Sequence, residues 1–356
     1  MRATKTIRCK VWKATDTKRS ILEEEYNNLQ LYLQTGIDDG LYSANKQQAE
    51  RYYKEIRKGK EYPVSIRNDL IKIERRDTKL VTYWIRIPVS GRRGGLWLPV
   101  KPHCQFPDKF KISESKLIKK KKDFYIHVTI SKDISEISCS HVLAIDLGER
   151  YMAVACGNFD NQLKPRFYGK EVRGIRRHYA WLRKRLGEKK LLREIKRVGQ
   201  KERRVVDSYL HAIAKDIVFV ARNTNSVIVL GNLKGIRDSA KGKGRRFNRI
   251  VANMPYYRLS QFIRYKAVWE GVSVVTRKEY KTSITCHRCG KEGKRLSQAR
   301  FKCDNCNLDY FNADVNGVRN QLQRELSYIG SSGVSVNTPI TEPFLVSSEA
   351  PSVRVG

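Results

Sequence analysis

The chain has 356 residues and carries 72 Lys and Arg against 36 Asp and Glu, a formal net charge of +36. Such self-repulsion calls for a polyanionic partner, and nucleic acid stands ahead of an acidic membrane surface because phosphate backbones release counterions when Lys and Arg dock on them. No apolar run reaches the ~20 residues that a bilayer span needs, and the opening MRATKTIRCKVWKATDTKRS has no apolar signal-peptide core, so a cytoplasmic, nucleoid-associated protein without a membrane partner is expected.

The length allows two or three domains with ample buried core. Residues 2–13 alternate as a strand does. Residues 17–77 read as polar and helical, with Leu22, Tyr26, Leu29 and Leu33 at helical spacing. Then VTYWIRIPV, GLWLPV, FKISESKLI and DFYIHVTI form β-rich runs broken by Pro, Gly and Lys turns. The simplest organisation is a small barrel of these strands and the first one, with the helical segment inserted in it.

From residue 141 the pattern changes again. HVLAIDL, YMAVACG and KPRFYG read as three strands, followed by a long helical stretch. Between Lys170 and Arg204 there are 15 basic residues against four acidic ones, with Tyr179 and Trp181 interleaved. A solvated helix surface is the plain reading of such a run. The size of the imbalance favours a phosphate-binding face, with Arg176, Arg183 and Arg197 as its representatives. SYLHAIAKDIVFVARN is an amphipathic helix, and SVIVLGNL is a continuously apolar strand of the kind buried in a parallel sheet. A Gly/Lys/Arg loop follows, then a helix whose first turn suits Pro255, the strand VSVVTR, and a last helix beginning near Asn312. From about 330 the chain loses periodicity and is expected to be disordered. The order strand–strand–strand–helix–strand–helix–strand–helix predicts an α/β sheet with helices on both faces, compatible with the RNase H-like fold.

Three segments carry chemistry. Of eight cysteines, Cys9, Cys104, Cys139 and Cys156 are scattered, whereas Cys286/Cys289 and Cys303/Cys306 form two C-x-x-C knuckles. Two knuckles supply the four thiolates of a tetrahedral zinc site, and four protein ligands make that zinc structural rather than catalytic. Gly290 suits the turn after the first knuckle, and His287 inside it is expected to be exposed and not a ligand. In HVLAIDLGERYMAVACG an apolar strand delivers Asp146 at its end and Gly148 turns the chain. In FNADVNGVRNQL, Asp314 lies in the first turn of a helix. It is either a dipole or cap carboxylate or, if Asn312 is the cap, a group left for a metal.

The combination D-L-G-x-x-x-x-A-V from Asp146, L-K-G-I-R after the apolar strand, T-S-x-x-C-x-x-C-G, C-x-x-C and N-A-D-x-N-G resembles the TnpB family, transposon-encoded relatives of type V CRISPR effectors. The specific motifs cover residues 141–325. The N-terminal part is similar only in layout. What the resemblance implies is an RNA-guided DNA endonuclease: a guide RNA pairs with target double-stranded DNA beside a short motif, and one RuvC site cuts with magnesium. The implied organisation is a wedge-like β-barrel over 1–16 and 78–138, a helical recognition lobe over 17–77, a RuvC nuclease over 139–281 and 308–328, a zinc ribbon over 282–307, and a disordered tail over 329–356. Reading of the motif-adjacent duplex would fall to the N-terminal half, where Tyr52, Tyr53, Arg57 and Asn68 are of suitable type.

Two-metal phosphodiester hydrolysis needs several carboxylates converging on ions about 4 Å apart, and hard oxygen ligands suit Mg²⁺. Asp146 and Asp314 match the family pattern. The glutamate usual at the end of the strand before L-K-G does not: that position is Gly231. Glu279, just after VSVVTR, is the candidate replacement, and its alternative is a solvated residue pairing with Arg277 or Lys281. Asp238 is a weaker substitute. Two competing readings follow. One is a nuclease-dead, RNA-guided DNA-binding protein acting by occupancy. The other is a DDE-type transposase, disfavoured by the ribbon between the second and third carboxylates and by the lack of a helix-turn-helix segment.

Overall fold

A computed structural model describes residues 2–135, 137–159, 164–232, 244, 248, 254–278, 282–297 and 299–332. Glu279, Asp238 and the tail beyond 332 lie outside the described residues, as does almost all of the Gly/Lys/Arg loop. The chain divides into two compact units, Met1–Ile134 and Ser135–Gly356. Among the described residues no helix is long and apolar enough to cross a membrane.

The first unit is an antiparallel sheet with two helices. Its strands are β1 (Arg2–Val11), β2 (Val64–Ile66), β3 (Lys72–Arg75), β4 (Tyr83–Ile87), β5 (Leu96–Pro102), β6 (Lys111–Ile112), β7 (Ser115–Lys120) and β8 (Asp123–Asp133). They run in the order β2-β7-β8-β1-β5-β4-β3, with β6 also on β8. The spine is the β1–β8 ladder, in register from Arg2 opposite Asp133 to Lys10 opposite Tyr125. Period-two alternation buries Ile7, Cys9 and Val11 from β1, and Phe124, Ile126, Val128 and Ile130 from β8. Among the described residues no ladder joins β2 to β3, so the expected barrel is here an open sheet.

The segment 17–77 is helical only in part. Helix α1 (Asp16–Thr35) starts where the Thr15 hydroxyl accepts from the Lys18 backbone N–H, ends at Gly36 with φ 78°, and buries Leu22, Tyr26 and Leu29. Helix α2 (Ser43–Tyr52) is the last. Beyond it, Pro63 pushes the preceding residue toward extended backbone, and the β-branched VSI and KIE runs pair with β7 and β4 instead. Helix α2 has no side-chain cap of its own. The buried Glu25 of α1 serves instead: Oε1 accepts from Tyr42 N (3.2 Å) and Asn45 Nδ2 (2.7 Å), while Oε2 accepts from Ser90 N (2.9 Å).

The second unit is a five-stranded sheet in the order β11-β10-β9-β12-β13. The strands are β9 (His141–Asp146), β10 (Ala153–Gly157), β11 (Arg166–Tyr168), β12 (Ser226–Asn232) and β13 (Val274–Lys278). The first three pair antiparallel; β12 runs parallel to β9 and β13 parallel to β12. Alternation divides the core. Leu143, Ile145, Ile228 and Leu230 face α3 (Lys170–Glu188), α4 (Leu192–Asn223) and α5 (Tyr256–Glu270). Val142, Ala144, Val227 and Val229 face Val318 and Leu322 of α6 (Ala313–Ser332). Continuing that alternation puts Asp146 and Gly231 on the α6 side, at the ends of β9 and β12. Between β13 and α6 lies a small three-stranded sheet of β14 (Lys294–Arg295), β15 (Arg300–Cys303) and β16 (Leu308–Asn312).

Candidate active site and metal centre

The sulfur atoms of Cys286, Cys289, Cys303 and Cys306 all lie within 4.8 Å of one another. Two pairs across the knuckles, Cys286–Cys306 and Cys289–Cys303, stand 3.5 and 3.6 Å apart. Zinc–thiolate bonds of about 2.3 Å in a tetrahedron require sulfur–sulfur edges of about 3.8 Å, so the donor set fits zinc closely. The turns explain the geometry. Gly290 follows the first knuckle with φ 72° and Asn307 follows the second with φ 48°, both left-handed, and Gly290 N donates to Cys286 O at 2.9 Å. A backbone N–H of Lys291 lowers the pKa of the Cys289 thiol, whereas burial and the neighbouring thiols raise that of Cys306. Burial pushes Cys9, one of the scattered cysteines, up to about 12.

His287 corrects the expectation of exposure: it is 7% exposed. Its backbone N and its Nδ1 both lie 3.0 Å from Asn316 Oδ1, and Arg319 Nη1 lies 3.1 Å from Nε2. The ring stacks on Phe311 at 4.7 Å. Burial lowers its pKa; the Asn316 hydrogen bond opposes the shift, while Arg319 and Arg288 add to it. These contacts fit a neutral ring with Nδ1–H donating to Asn316 and Nε2 accepting from Arg319. Asn316 Nδ2 also donates to Thr285 O (2.7 Å), and Asn320 Nδ2 donates to Thr282 O and Thr285 O (2.9 and 2.6 Å). The ribbon is thus fastened to the first turns of α6 by Asn316, Arg319 and Asn320. The sequence reading missed all three; the Asn-x-x-x-Asn spacing on the helix was the available signal.

The same helix carries Asp314. Asn312 is the cap, its Oδ1 accepting from the backbone N of Asp314 (3.0 Å) and of Val315 (3.3 Å). The Asp314 carboxylate is therefore not spent on capping. It is 8% exposed. One oxygen sits 3.5 Å from Arg295 Nη2; the other, Oδ2, is buried without a hydrogen-bond partner. Burial raises its pKa, while Arg295 and Arg150 oppose the shift. Asp146 reaches the same helix: its Oδ2 stands 2.9 Å from the point that a Cβ on Gly317 would occupy. Asp314 and Gly317 are three residues apart, on one helix face, so the two predicted aspartates converge on one stretch of α6.

Gly231 is the next residue along from the Ile145–Leu230 register, level with Asp146, and pairs with Arg277 on β13. Its N–H is met by Gln321 of α6: in the orientation that satisfies both neighbours, this amide accepts from Gly231 N (2.9 Å) and donates to Ile145 O (3.1 Å). Arg277 is engaged elsewhere, by a two-pronged pair with the buried Glu325 at 2.6 and 2.8 Å. Neither Gln321 nor Glu325 was singled out in the sequence.

Of the predicted nucleic-acid residues, Arg176 and Arg183 on α3 converge on Glu202 of α4. Arg197 stands apart, its side chain 79% exposed and paired with Glu194. In the first unit Tyr52, Arg57 and Asn68 are exposed. Tyr53 turns inward, its hydroxyl donating to Pro63 O at 2.7 Å and its ring packing on Tyr62.

Residues 256–321 match the family model described as Cas12f1-like, TNB domain. A TnpB-like protein of Methanocaldococcus jannaschii is 29% identical over 223 residues, spanning 60% of this chain and 78% of that protein. The CRISPR-associated endodeoxyribonuclease Cas12f2 of a Micrarchaeota archaeon is 30% identical over 148 residues, 37% of this chain and 27% of that protein. The chain of a Cas12f1–sgRNA–target DNA complex aligns with a TM-score of 0.42 and 14% identity over 90% of this chain and 99% of that one. The motifs and the sequence matches agree: the chain is similar to TnpB-like proteins, and its residues 256–321 to the Cas12f1-like TNB domain.

Proposed function

We propose that the chain is an RNA-guided DNA endonuclease of the TnpB type, with guide RNA and target double-stranded DNA as partners. The observation that carries this reading is the convergence of Asp146 and Asp314 on α6, where a buried oxygen of Asp314 has no hydrogen-bond partner. A buried polar atom of that kind is one a cation would satisfy, and hard carboxylate oxygens suit Mg²⁺. The sheet order, three antiparallel strands then two parallel ones, supports a RuvC, RNase H-like domain. Asp146, Asp314 and Glu279 would hold the magnesium, which when bound supplies an activated water and charge stabilisation at the leaving oxygen. Glu279 is proposed because it follows β13, whose Arg277 is level with Gly231 and already taken by Glu325. Asn312 keeps Asp314 off the helix end, and the ribbon holds α6 in place. Zinc in the four cysteines is structural. Tyr52, Tyr53, Arg57 and Asn68 are proposed to read the duplex beside the target, with Tyr53 acting by shaping that surface.

Gly231 sustains a second reading, guide-dependent DNA binding without cleavage. One experiment separates the two. The protein is purified with its RNA, the RNA is sequenced, and matching duplex DNA is offered with and without Mg²⁺. Magnesium- and RNA-dependent cutting supports the endonuclease. Guide-dependent binding without cutting transfers the case to the second reading, and cutting or binding that needs no RNA refutes both.

A further inference from the structure

Helices α3, α4 and α5 enclose a cleft of about 410 Å³ lined by Arg176, Arg183, Gly199, Glu202, Arg203, Val206 and Arg258. The lining follows helical spacing: Arg176 and Arg183 are seven residues apart on α3, and Gly199, Glu202, Arg203 and Val206 share one face of α4. Two carboxylates answer four guanidiniums. Glu202 takes Arg183 closely and Arg176 at 4.0 Å, and Asp207 takes Arg258 at 2.5 Å and Arg203 at 3.8 Å. Arg176 is the least well matched. Its side chain is only 20% exposed and its ion pair with Glu202 is the loosest of the four. Burial lowers its pKa, Glu202 opposes the shift, and Arg258 and Arg183 add to it. A guanidinium remains charged at any pH the protein meets. The cleft therefore concentrates positive charge in excess of its own counter-charge, partly withdrawn from water. Its centre is open, since a Cβ on Gly199 would meet nothing within 4 Å.

We propose that this cleft is a dedicated site for one backbone phosphate of a polynucleotide, bound by Arg176, Arg183, Arg203 and Arg258. Planar guanidiniums on three helices match the several oxygens of a phosphodiester, and Glu202 and Asp207 hold the forks in place before the anion arrives. The cleft lies within the basic run of α3 and α4, so a strand following that surface passes its mouth. Arg197, outside the cleft, contributes only to the surrounding field. The proposal rests on the nucleic-acid reading for the source of the phosphate alone.

Two variants of the full chain test it. Arg176→Gln with Arg258→Gln removes two of the donors. Gly199→Leu fills the open centre while keeping every charge, and it replaces a mid-helix glycine by a better helix former. Each is titrated with salt, without Mg²⁺, against a short single-stranded RNA and a short duplex DNA of arbitrary sequence, with Arg197→Gln as control. The slope of log affinity against log salt should fall by about 0.7 on the single strand or about 0.9 on the duplex for one lost phosphate. The probe on which it falls identifies the strand. Arg197→Gln should change the slope less than Gly199→Leu does. In parallel, inorganic phosphate should raise the Tm of the wild type more than chloride at equal ionic strength, and Gly199→Leu should remove that difference. Unchanged slopes on both probes in Gly199→Leu overturn the proposal, as does equal stabilisation by phosphate in variant and wild type. A protein that never cuts DNA leaves these readouts intact, so failure of the nuclease reading is distinguishable.

Discussion

The carboxylate of Asp146 occupies the space that a side chain on Gly317 would need: Oδ2 is 2.9 Å from the point an added Cβ would take. Gly317 lies within a helix and has no left-handed φ, so glycine is required here by the neighbouring carboxylate and not by the backbone. Gly317→Ala should therefore leave α6 as stable as before or slightly more so, since alanine favours a helix by about 1 kcal/mol over glycine. On the proposed endonuclease reading it should also displace Asp146 and cut the cleavage rate at least about tenfold, because a metal ligand tolerates little misplacement. Single-turnover cleavage beside a melting curve checks this. Wild-type cleavage by Gly317→Ala would mean that the Asp146–α6 contact has no part in the chemistry.

The ribbon and α6 should fail together. Cys286→Ser or Cys303→Ser should lose one bound zinc and loosen residues 282–312, since a four-thiolate site contributes folding energy outright. Asn316→Ala is subtler. It keeps all four thiolates but removes the acceptor of His287 and the donor to Thr285. Zinc should remain at one per chain while stability drops by about 2 kcal/mol, with faster amide exchange in the first turns of α6. Metal analysis and hydrogen exchange separate the two outcomes. Full protection of α6 in Asn316→Ala would show that Asn316 is not the residue that fastens the ribbon to the helix.

How much of this was legible in the sequence follows from where each partner lies along the chain. The strands of the second unit were readable because β9 and β12 are continuous apolar runs, and the four cysteines because a knuckle is a local motif. The Asn312 cap was readable for the same reason, its partners being two and three residues away. The strands β2 and β3 were not: each is too short for periodicity, and its ladder partner lies far along the chain or across a turn. Burial of His287 depends on Asn316 and Arg319, about thirty residues away. The Gln321 bridge between Ile145 and Gly231 exists only once α6 lies across the sheet. A polar residue at helical spacing announces a face, and only the packed neighbour says what that face meets.

The first unit should lose stability on mild acidification through His127 of β8. Its pKa is pushed down to about 4, first by burial and then by Lys120, Arg8, His103 and Lys116, and its Nε2 is buried without a hydrogen-bond partner. A folded-state pKa below the unfolded value of about 6.5 means that the unfolded chain takes up the proton first. The contribution is therefore complete above pH 6.5 and is lost progressively as pH falls toward 4. Because the ring is only partly buried, the change should be on the order of 1 kcal/mol after allowance for solvent screening. His127→Gln should flatten the profile across that window. Denaturant melts at several pH values measure it, and an equally steep profile in the variant would assign the acid sensitivity to other groups.

The proposed metal carboxylates give the sharpest test, because each variant predicts loss of cutting without loss of binding. Asp146→Ala and Asp314→Ala should each abolish cleavage while retaining RNA and target DNA, since on the proposed reading these groups hold ions and not the guide. For Asp314 the apoprotein should not suffer: burial raises the pKa of this carboxylate, so its ionised form costs stability that a bound cation would return, and Asp314→Asn should melt no lower than wild type without Mg²⁺. Glu279→Gln keeps size and removes charge. If Glu279 supplies the third carboxylate, its loss should slow cutting about a thousandfold, the several kcal/mol expected when one electrostatic group at the reacting phosphate is removed. The compensating variant follows from register. Gly231 is level with Asp146 on the neighbouring strand and faces α6 as Asp146 does, so a glutamate there would project into the same space. Gly231→Glu combined with Glu279→Ala should therefore recover part of the activity that Glu279→Ala loses. Undiminished cutting by Glu279→Gln would refute the relocated ligand. A wild-type protein that binds its guided target with Mg²⁺ present and never cuts would identify Gly231 as the position where the third carboxylate was lost, and Gly231→Glu alone should then switch cutting on.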